Sequence, residues 1–181
     1  MELRDRNVLL GIAGGIAAYK SASLCRLLVK EGARVRVAMT KSATEFVQPL
    51  TFETLSGHPV GLDMFAPHRA DEIIHIHWAE WSNLFVIAPA TANIIAKAAS
   101  GIADNLVSCL LVSIQAPIVF VPAMHHQMWE NPIVQRNLKT LNDVGHSIMP
   151  PESGELASGG TGTGRMPEPE QIIEFLKNLD R

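Results

Sequence analysis

Four short clusters in this chain offer groups that can do chemistry. Gly11-Ile-Ala-Gly14-Gly15-Ile16 follows an apolar, β-branched run, and small residues there let backbone N–H groups close on an anion at the start of a helix. The spacing is not GxGxxG, so a plain tight strand-to-helix turn is the competing reading. Thr40 with Ser42, and Thr91 with Asn93, add hydroxyl and amide groups after the next two apolar runs, although Thr in such places is also an ordinary helix N-cap. The fourth cluster, Pro122 to His126, ends on two imidazoles.

Histidine recurs, with seven in the chain: His75-Ile-His77 stands ahead of the third apolar run and His125-His126 after the fourth. A metal reading takes His75 and His77 from one face of an extended segment, joined by His125 or His126. No Asp, Glu or Cys at ligand spacing accompanies them, so no metal is expected. A single imidazole in a crevice suits general-base work better, because it exchanges a proton near neutral pH. His58, His68 and His146 read as solvated loop residues. Trp78, Trp81 and Trp129 read as core or interface anchors, and Met124 with Met128 as a helical pair that packs on something apolar.

Secondary-structure elements must bring these clusters together. Apolar runs from Val8 to Ile12, Val35 to Met39, Leu84 to Ala88, Ile118 to Val121 and Ser147 to Met149 alternate with helical stretches. Strands apolar on both faces and separated by helices make a parallel sheet covered on both sides. The expected fold is therefore α/β: a Rossmann-like, flavodoxin-like doubly wound sheet in three α/β/α layers, one domain over residues 1–181. Ligands of such sheets sit outside the carboxyl ends of the strands, where strand order reverses, and the four clusters all fall at strand ends. Pro150 to Met166, rich in Gly, Ser and Pro, reads as a long loop or substrate-covering lid before a terminal helix.

Composition narrows the partners. Over 181 residues, 47% are hydrophobic and 18% charged, below the roughly 25% charged residues of average soluble proteins, so a sizeable core is available and disorder is excluded. A net charge of −3 with no basic cluster argues against a nucleic-acid partner. Cys25 and Cys109 stand apart, without disulfide or zinc spacing, which fits a reducing, cytoplasmic compartment. Arg4 and Arg6 ahead of Val8 to Ala18 imitate a signal peptide, but Lys20 ends the run without a cleavage pattern. No stretch is long enough to cross a bilayer, so a soluble protein with no membrane partner is expected.

Taken in order, Gly14-Gly15-Ile16-Ala-Ala-Tyr-Lys20, Met39-Thr40-Lys41-Ser42, His75-Ile76 ahead of Trp81, Ala88-Pro-Ala-Thr91-Ala92-Asn93 and the G-x-x-x-N-L stretch from Gly101 to Leu106 resemble the homo-oligomeric flavin-containing cysteine decarboxylases. Within that family the chain is most similar, over nearly its whole length, to the phosphopantothenoylcysteine decarboxylases of coenzyme A biosynthesis. The resemblance implies FMN across the strand ends, its phosphate near Gly14, Gly15 and Ile16 and near Thr91, Ala92, Asn93 and Ile94. Thr40, Lys41, Ser42 and Ala123 are implied as further contacts, and His75 as the base. It also implies a trimer or trimer-built dodecamer with flavin sites between subunits. The implied reaction oxidises the thiol of a terminal cysteine, in a small molecule or a peptide, and loses the neighbouring carboxylate; the flavin supplies the electron chemistry and the protein supplies orientation and a base.

Two positions depart from the family pattern. Pro122-Ala-Met-His125-His-Gln-Met128-Trp129 resembles P-x-M-N-x-x-M-W, so His125 replaces an Asn expected on the substrate carboxylate; an imidazole still donates to a carboxylate. Ser153-Gly-Glu-Leu-Ala-Ser158-Gly resembles the lid of the pantothenate branch, with Ser158 in place of a Cys that helps reduce the enethiol. A hydroxyl lacks the acidity and redox chemistry of a thiol, so the expected reaction stops at the enethiol. The alternative is a non-catalytic or regulatory FMN-binding paralogue with an altered substrate.

Overall fold

The computed structural model describes residues 2–65, 73–155, 157 and 159–179. The chain opens with β1 (Asn7–Ile12), a turn over residues 13–17, and α1 (Ala18–Lys30). Gly32, at φ 85°, reverses the chain into β2 (Arg34–Met39). A 3₁₀ helix (Lys41–Glu45) and α2 (Pro49–Ser56) follow, then α3 (Ile74–Trp81), β3 (Leu84–Ala90), α4 (Ala92–Ser100) and α5 (Leu106–Ser113). The last third holds β4 (Ile118–Pro122), α6 (His126–Trp129), α7 (Pro132–Asp143), β5 (Ser147–Ile148), β6 (Glu152–Glu155), β7 (Thr161–Arg165) and α8 (Pro169–Lys177).

Five strands lie parallel in the order β2-β1-β3-β4-β5, the flavodoxin-like doubly wound order, whose direction reverses between β1 and β3. β3 and β4 are buried at every position, which is why they read as unbroken apolar runs rather than as an alternation. Val8, Leu10 and Ile12 share one core with Leu24 and Leu28 of α1 and Ile172 and Leu176 of α8. Leu9, Phe85 and Phe120 share the opposite core with Ile95 of α4, Leu110 of α5 and Leu138 of α7. Phe85 and Phe120 are fully buried, and each such side chain contributes ~1.5–3 kcal/mol. Ser21 is a polar exception on α1: its buried Oγ donates to the Ala88 carbonyl at 2.7 Å, which satisfies the hydroxyl and ties α1 to β3.

Several sequence-based expectations need correction. The 150–166 segment is not loop throughout: residues 152–155 pair antiparallel with residues 161–165, and Met124 N–H donates to the Gly164 carbonyl at 3.0 Å. One of the glycines that suggest looseness there serves close backbone contact instead, since a Cβ on Gly164 would stand directly against Met124 O. His75 and His77 lie on a helix, α3, rather than on an extended segment; residues i and i+2 of a helix do not share a face, so the paired-ligand geometry is lost. The third strand runs on past Ala88 to Ala90. Among the described residues, no helix is long and apolar enough to cross a membrane.

Candidate functional site

The carboxyl ends of β1 and β3, where strand order reverses, open into a cleft of about 1280 Å³. The turn after β1 contributes Ala13 to Ala17, the segment after β2 Thr40 to Ser42, and the start of α4 Thr91 to Ile94. Ala123 to His125 enter after β4, and the hairpin adds Glu155, Gly164 and Arg165.

The first turn is shaped by two glycines with different duties. A Cβ on Gly14 would stand 2.7 Å from the Ser42 backbone carbon, so the turns after β1 and β2 nest only without a side chain there. Gly15 is open: the nearest atom to its Cβ position is Thr91 Cγ2 at 3.5 Å. α1 starts with no side-chain cap and no acidic residue in its first turn. Among the described residues, the N–H groups of Gly14, Gly15 and Ile16 donate to no backbone carbonyl. Unused donors at a helix start, with the positive end of the macrodipole behind them, make an anion site.

Thr40 and Thr91 are N-caps as well as cleft residues. Thr40 Oγ1 accepts the Ala43 N–H at 3.3 Å, and Thr91 Oγ1 accepts the Ile94 N–H at 3.4 Å. Each hydroxyl therefore uses its oxygen for the helix and keeps its own O–H as a donor. The cap and ligand readings are compatible here.

Two lysines of the cleft, Lys20 and Lys97, are paired. Lys20 is 9% exposed, and its Nζ donates to the Met166 carbonyl at 2.8 Å and to Glu168 Oε1 at 2.7 Å. That hydrogen bond is the main reason the Glu168 carboxyl is held below the usual carboxylate range. Lys97 grips both oxygens of Asp104 at 2.6 and 2.7 Å, and is likewise the chief cause of the lowered Asp104 pKa. Asn105 Oδ1 accepts the Ser108 N–H at 3.0 Å while Ser108 Oγ accepts the Asn105 N–H at 3.1 Å. This capping box starts α5, so the G-x-x-x-N-L stretch organises one wall of the cleft.

Gly14, Gly15, Ile16, Thr40, Lys41, Ser42, Thr91, Ala92, Asn93, Ile94 and Ala123 all line this one cleft, together with His125. His125 is half-buried and caps α6, its Nδ1 accepting the Gln127 N–H at 3.3 Å. His75 is not among the lining residues. It is the second residue of α3, half-buried, and its Nδ1 is buried with no hydrogen-bond partner among the described residues. Ser158 lies outside the described residues. Sequence reasoning gives no role to Tyr19, Lys20, Lys97 or Asp104, which also line the cleft; three of these stand inside or beside motifs already singled out. Glu155 and Arg165 are missed because their strands read as loop, although the spacing of Thr161-Gly-Thr-Gly-Arg165 has the period of two that marks a strand.

These residues fit a flavin mononucleotide. Free N–H groups at the start of α1 meet the needs of a phosphate, threonine hydroxyls those of a ribityl chain, and Ile16, Met124 and Met128 offer apolar surface to a ring.

The comparison with known proteins agrees. The coenzyme A biosynthesis bifunctional protein CoaBC of Bacillus subtilis (strain 168) is 46% identical over 175 residues, which is 97% of this chain and 43% of that relative. The chain thus spans less than half the length of the curated relative it matches. A solved PPC decarboxylase variant complexed with pantothenoylaminoethenethiol superposes with a TM-score of 0.87 at 34% identity, covering 96% of this chain and 97% of that one. The FMN-dependent cysteine decarboxylase SpaF gives a TM-score of 0.78 at 31% identity over 88% of this chain and 91% of its own. The Flavoprotein family model matches residues 1–180, and the chain therefore belongs to the Flavoprotein family.

Proposed function

We propose that this protein is an FMN-dependent decarboxylase of a cysteine-derived thiol that carries an adjacent carboxylate, of the phosphopantothenoylcysteine type, and that it releases the enethiol. The observation that carries this reading is the convergence on one cleft of an uncapped helix start, two N-cap threonines with free O–H groups, and His125. Phosphate is held by Gly14 to Ile16 and by Thr91 to Ile94, with Thr40, Lys41, Ser42 and Ala123 alongside.

Bound FMN supplies the two-electron oxidation of the substrate. Turnover withdraws two electrons and one proton from the substrate and expels carbon dioxide, which leaves a carbon–carbon double bond beside the thiol. His75 takes up the proton; its Nδ1, buried and without a partner among the described residues, is an acceptor left unused within this chain. His125 donates to the carboxylate. Ser158, outside the described residues, offers a hydroxyl that cannot carry out a thiol's reduction of the enethiol.

His75 reaches a cleft through assembly in this reading. Ile73, two residues before it, and Ile76, one after, are 56% and 45% exposed, an apolar setting that suits contact with the cleft of a second copy in a trimer or a trimer-built dodecamer. The free thiols Cys25 and Cys109 fit a reducing cytoplasm.

The test begins with the visible spectrum of flavin-saturated protein and continues with carbon dioxide release from phosphopantothenoylcysteine. A yellow protein that releases carbon dioxide and yields a product lighter than the saturated thiol by one molecule of hydrogen supports the reading. Protein that takes up no flavin sinks it. Flavin uptake without carbon dioxide release assigns a non-catalytic role.

A further inference from the structure

The two imidazoles after β4 form one unit. Their ring centroids lie 4.2 Å apart with the planes tilted by 42°. His125 lines the cleft, and because its Nδ1 accepts the Gln127 N–H at 3.3 Å, the proton of the neutral ring sits on Nε2. His126 lies under β7: a Cβ on Gly162 would stand 2.7 Å from its Cβ and 2.8 Å from its Cγ. Its Nδ1 is buried and has no partner among the described residues. β7 is pinned to the same segment two residues earlier, where Met124 N–H donates to the Gly164 carbonyl at 3.0 Å.

We propose that His126 is a positioning residue: its ring, clamped beneath β7, backs the His125 ring so that the cleft receives one directed Nε2–H donor for the substrate carboxylate. The ligand named here rests on the proposed decarboxylase; the tautomer and the stack do not. A planar ring with a single N–H must be aimed, since rotation about its terminal torsion is broad and only roughly two-fold. The α6 cap holds one edge of the His125 ring and the His126 ring limits its swing. Because His126 Nδ1 bonds to nothing described, shape rather than hydrogen bonding is what this residue contributes, and Phe is its conservative replacement.

Nitrogen-15 side-chain NMR of the full, flavin-loaded chain reads the tautomer, and flavin bleaching by saturating phosphopantothenoylcysteine reads the chemistry. The expected result is an Nε2–H His125 in wild type and in His126→Phe, with bleaching by the Phe variant close to wild type. His126→Ala should give mixed His125 tautomers and bleaching about tenfold slower, with flavin affinity unchanged. Should His126→Ala not fold, His126→Leu, which fills the space without a plane, replaces it in both measurements. An Nδ1–H His125, or a His126→Ala protein that matches wild type in tautomer and rate, overturns the proposal. Wild-type protein that neither bleaches flavin nor releases carbon dioxide overturns the decarboxylase instead, while the tautomer measurement still decides the stack.

Discussion

Lys20 Nζ sits 2.7 Å from Glu168 Oε1 and 2.8 Å from the Met166 carbonyl, so a single buried ammonium joins α1 to the chain leaving the hairpin. Burying a cation is costly unless it is paired and hydrogen-bonded, and here both conditions hold. Lys20→Met should lower stability by about 1.5–3 kcal/mol, the scale of hydrogen bonds to charged groups, and speed hydrogen exchange of the Met124 amide, which donates to Gly164. Urea melts and exchange rates equal to wild type would show that the link carries no strain of the fold.

The same contact sets an acid limit. Lys20, more than Arg165, holds the Glu168 carboxyl below the usual range, so this group binds protons more weakly folded than unfolded. Its stabilising contribution is complete above the ordinary carboxylate pKa and disappears as pH falls through the depressed folded value. Glu168 keeps 48% side-chain exposure, so solvent screening makes the effect small. Stability measured across the acid range should fall less steeply in Lys20→Met than in wild type; parallel curves would refute the assignment.

Gly14 and Gly15 predict different stability outcomes for the same substitution. Gly14→Ala puts a methyl group against Ser42 and should cost about 1–3 kcal/mol through overpacking, with flavin uptake lost as well. Gly15→Ala meets only Thr91 Cγ2 at 3.5 Å, so the fold should melt within about 1 kcal/mol of wild type while flavin affinity drops because the methyl group enters the cleft. Thermal melts with flavin titrations separate the two, and equal effects at both positions would contradict the geometry.

Asn105 starts α5 and also donates to Asp104 through Nδ2 at 2.9 Å. Asn105→Ala removes a capping box and should destabilise the protein by about 0.5–2 kcal/mol. Asn105→Asp keeps a capping acceptor but sets a second carboxylate beside Asp104, so it should recover only part of the loss. Denaturant titration of the two variants checks the order; an Ala variant as stable as wild type would remove the cap from the account.

Burial pushes the Cys25 thiol up to about 11, so at neutral pH it is neither ionised nor reachable. A thiol reagent should label Cys25 only as fast as the fold opens. Prompt labelling of Cys25 in native protein, followed by mass spectrometry of its peptide, would contradict its place in the core.

Leu84 to Ala88 and Ile118 to Val121 are legible as buried parallel strands because helices cover both faces, and apolarity on both faces is a local property of sequence. The turns after them are legible as a ligand rim for a related reason: a parallel sheet sends every carboxyl end to the same side, so chain order alone assembles Gly14, Thr40, Thr91 and Ala123. Contacts made across large sequence separations are another matter. Lys20 finds Met166 across 146 positions, and Gly164 closes on Met124 only because β7 packs back against the segment after β4. The hairpin reads as loop because its glycines signal freedom locally, whereas the packed chain uses Gly154, Gly162 and Gly164 for closeness. His75 separates from the cleft for the same kind of reason, since the helical turn of α3, and not the spacing of two histidines, decides which way an imidazole points. Periodicity and composition act residue by residue, but burial and partnership depend on which layers meet, and that is settled only when the sheet is wound.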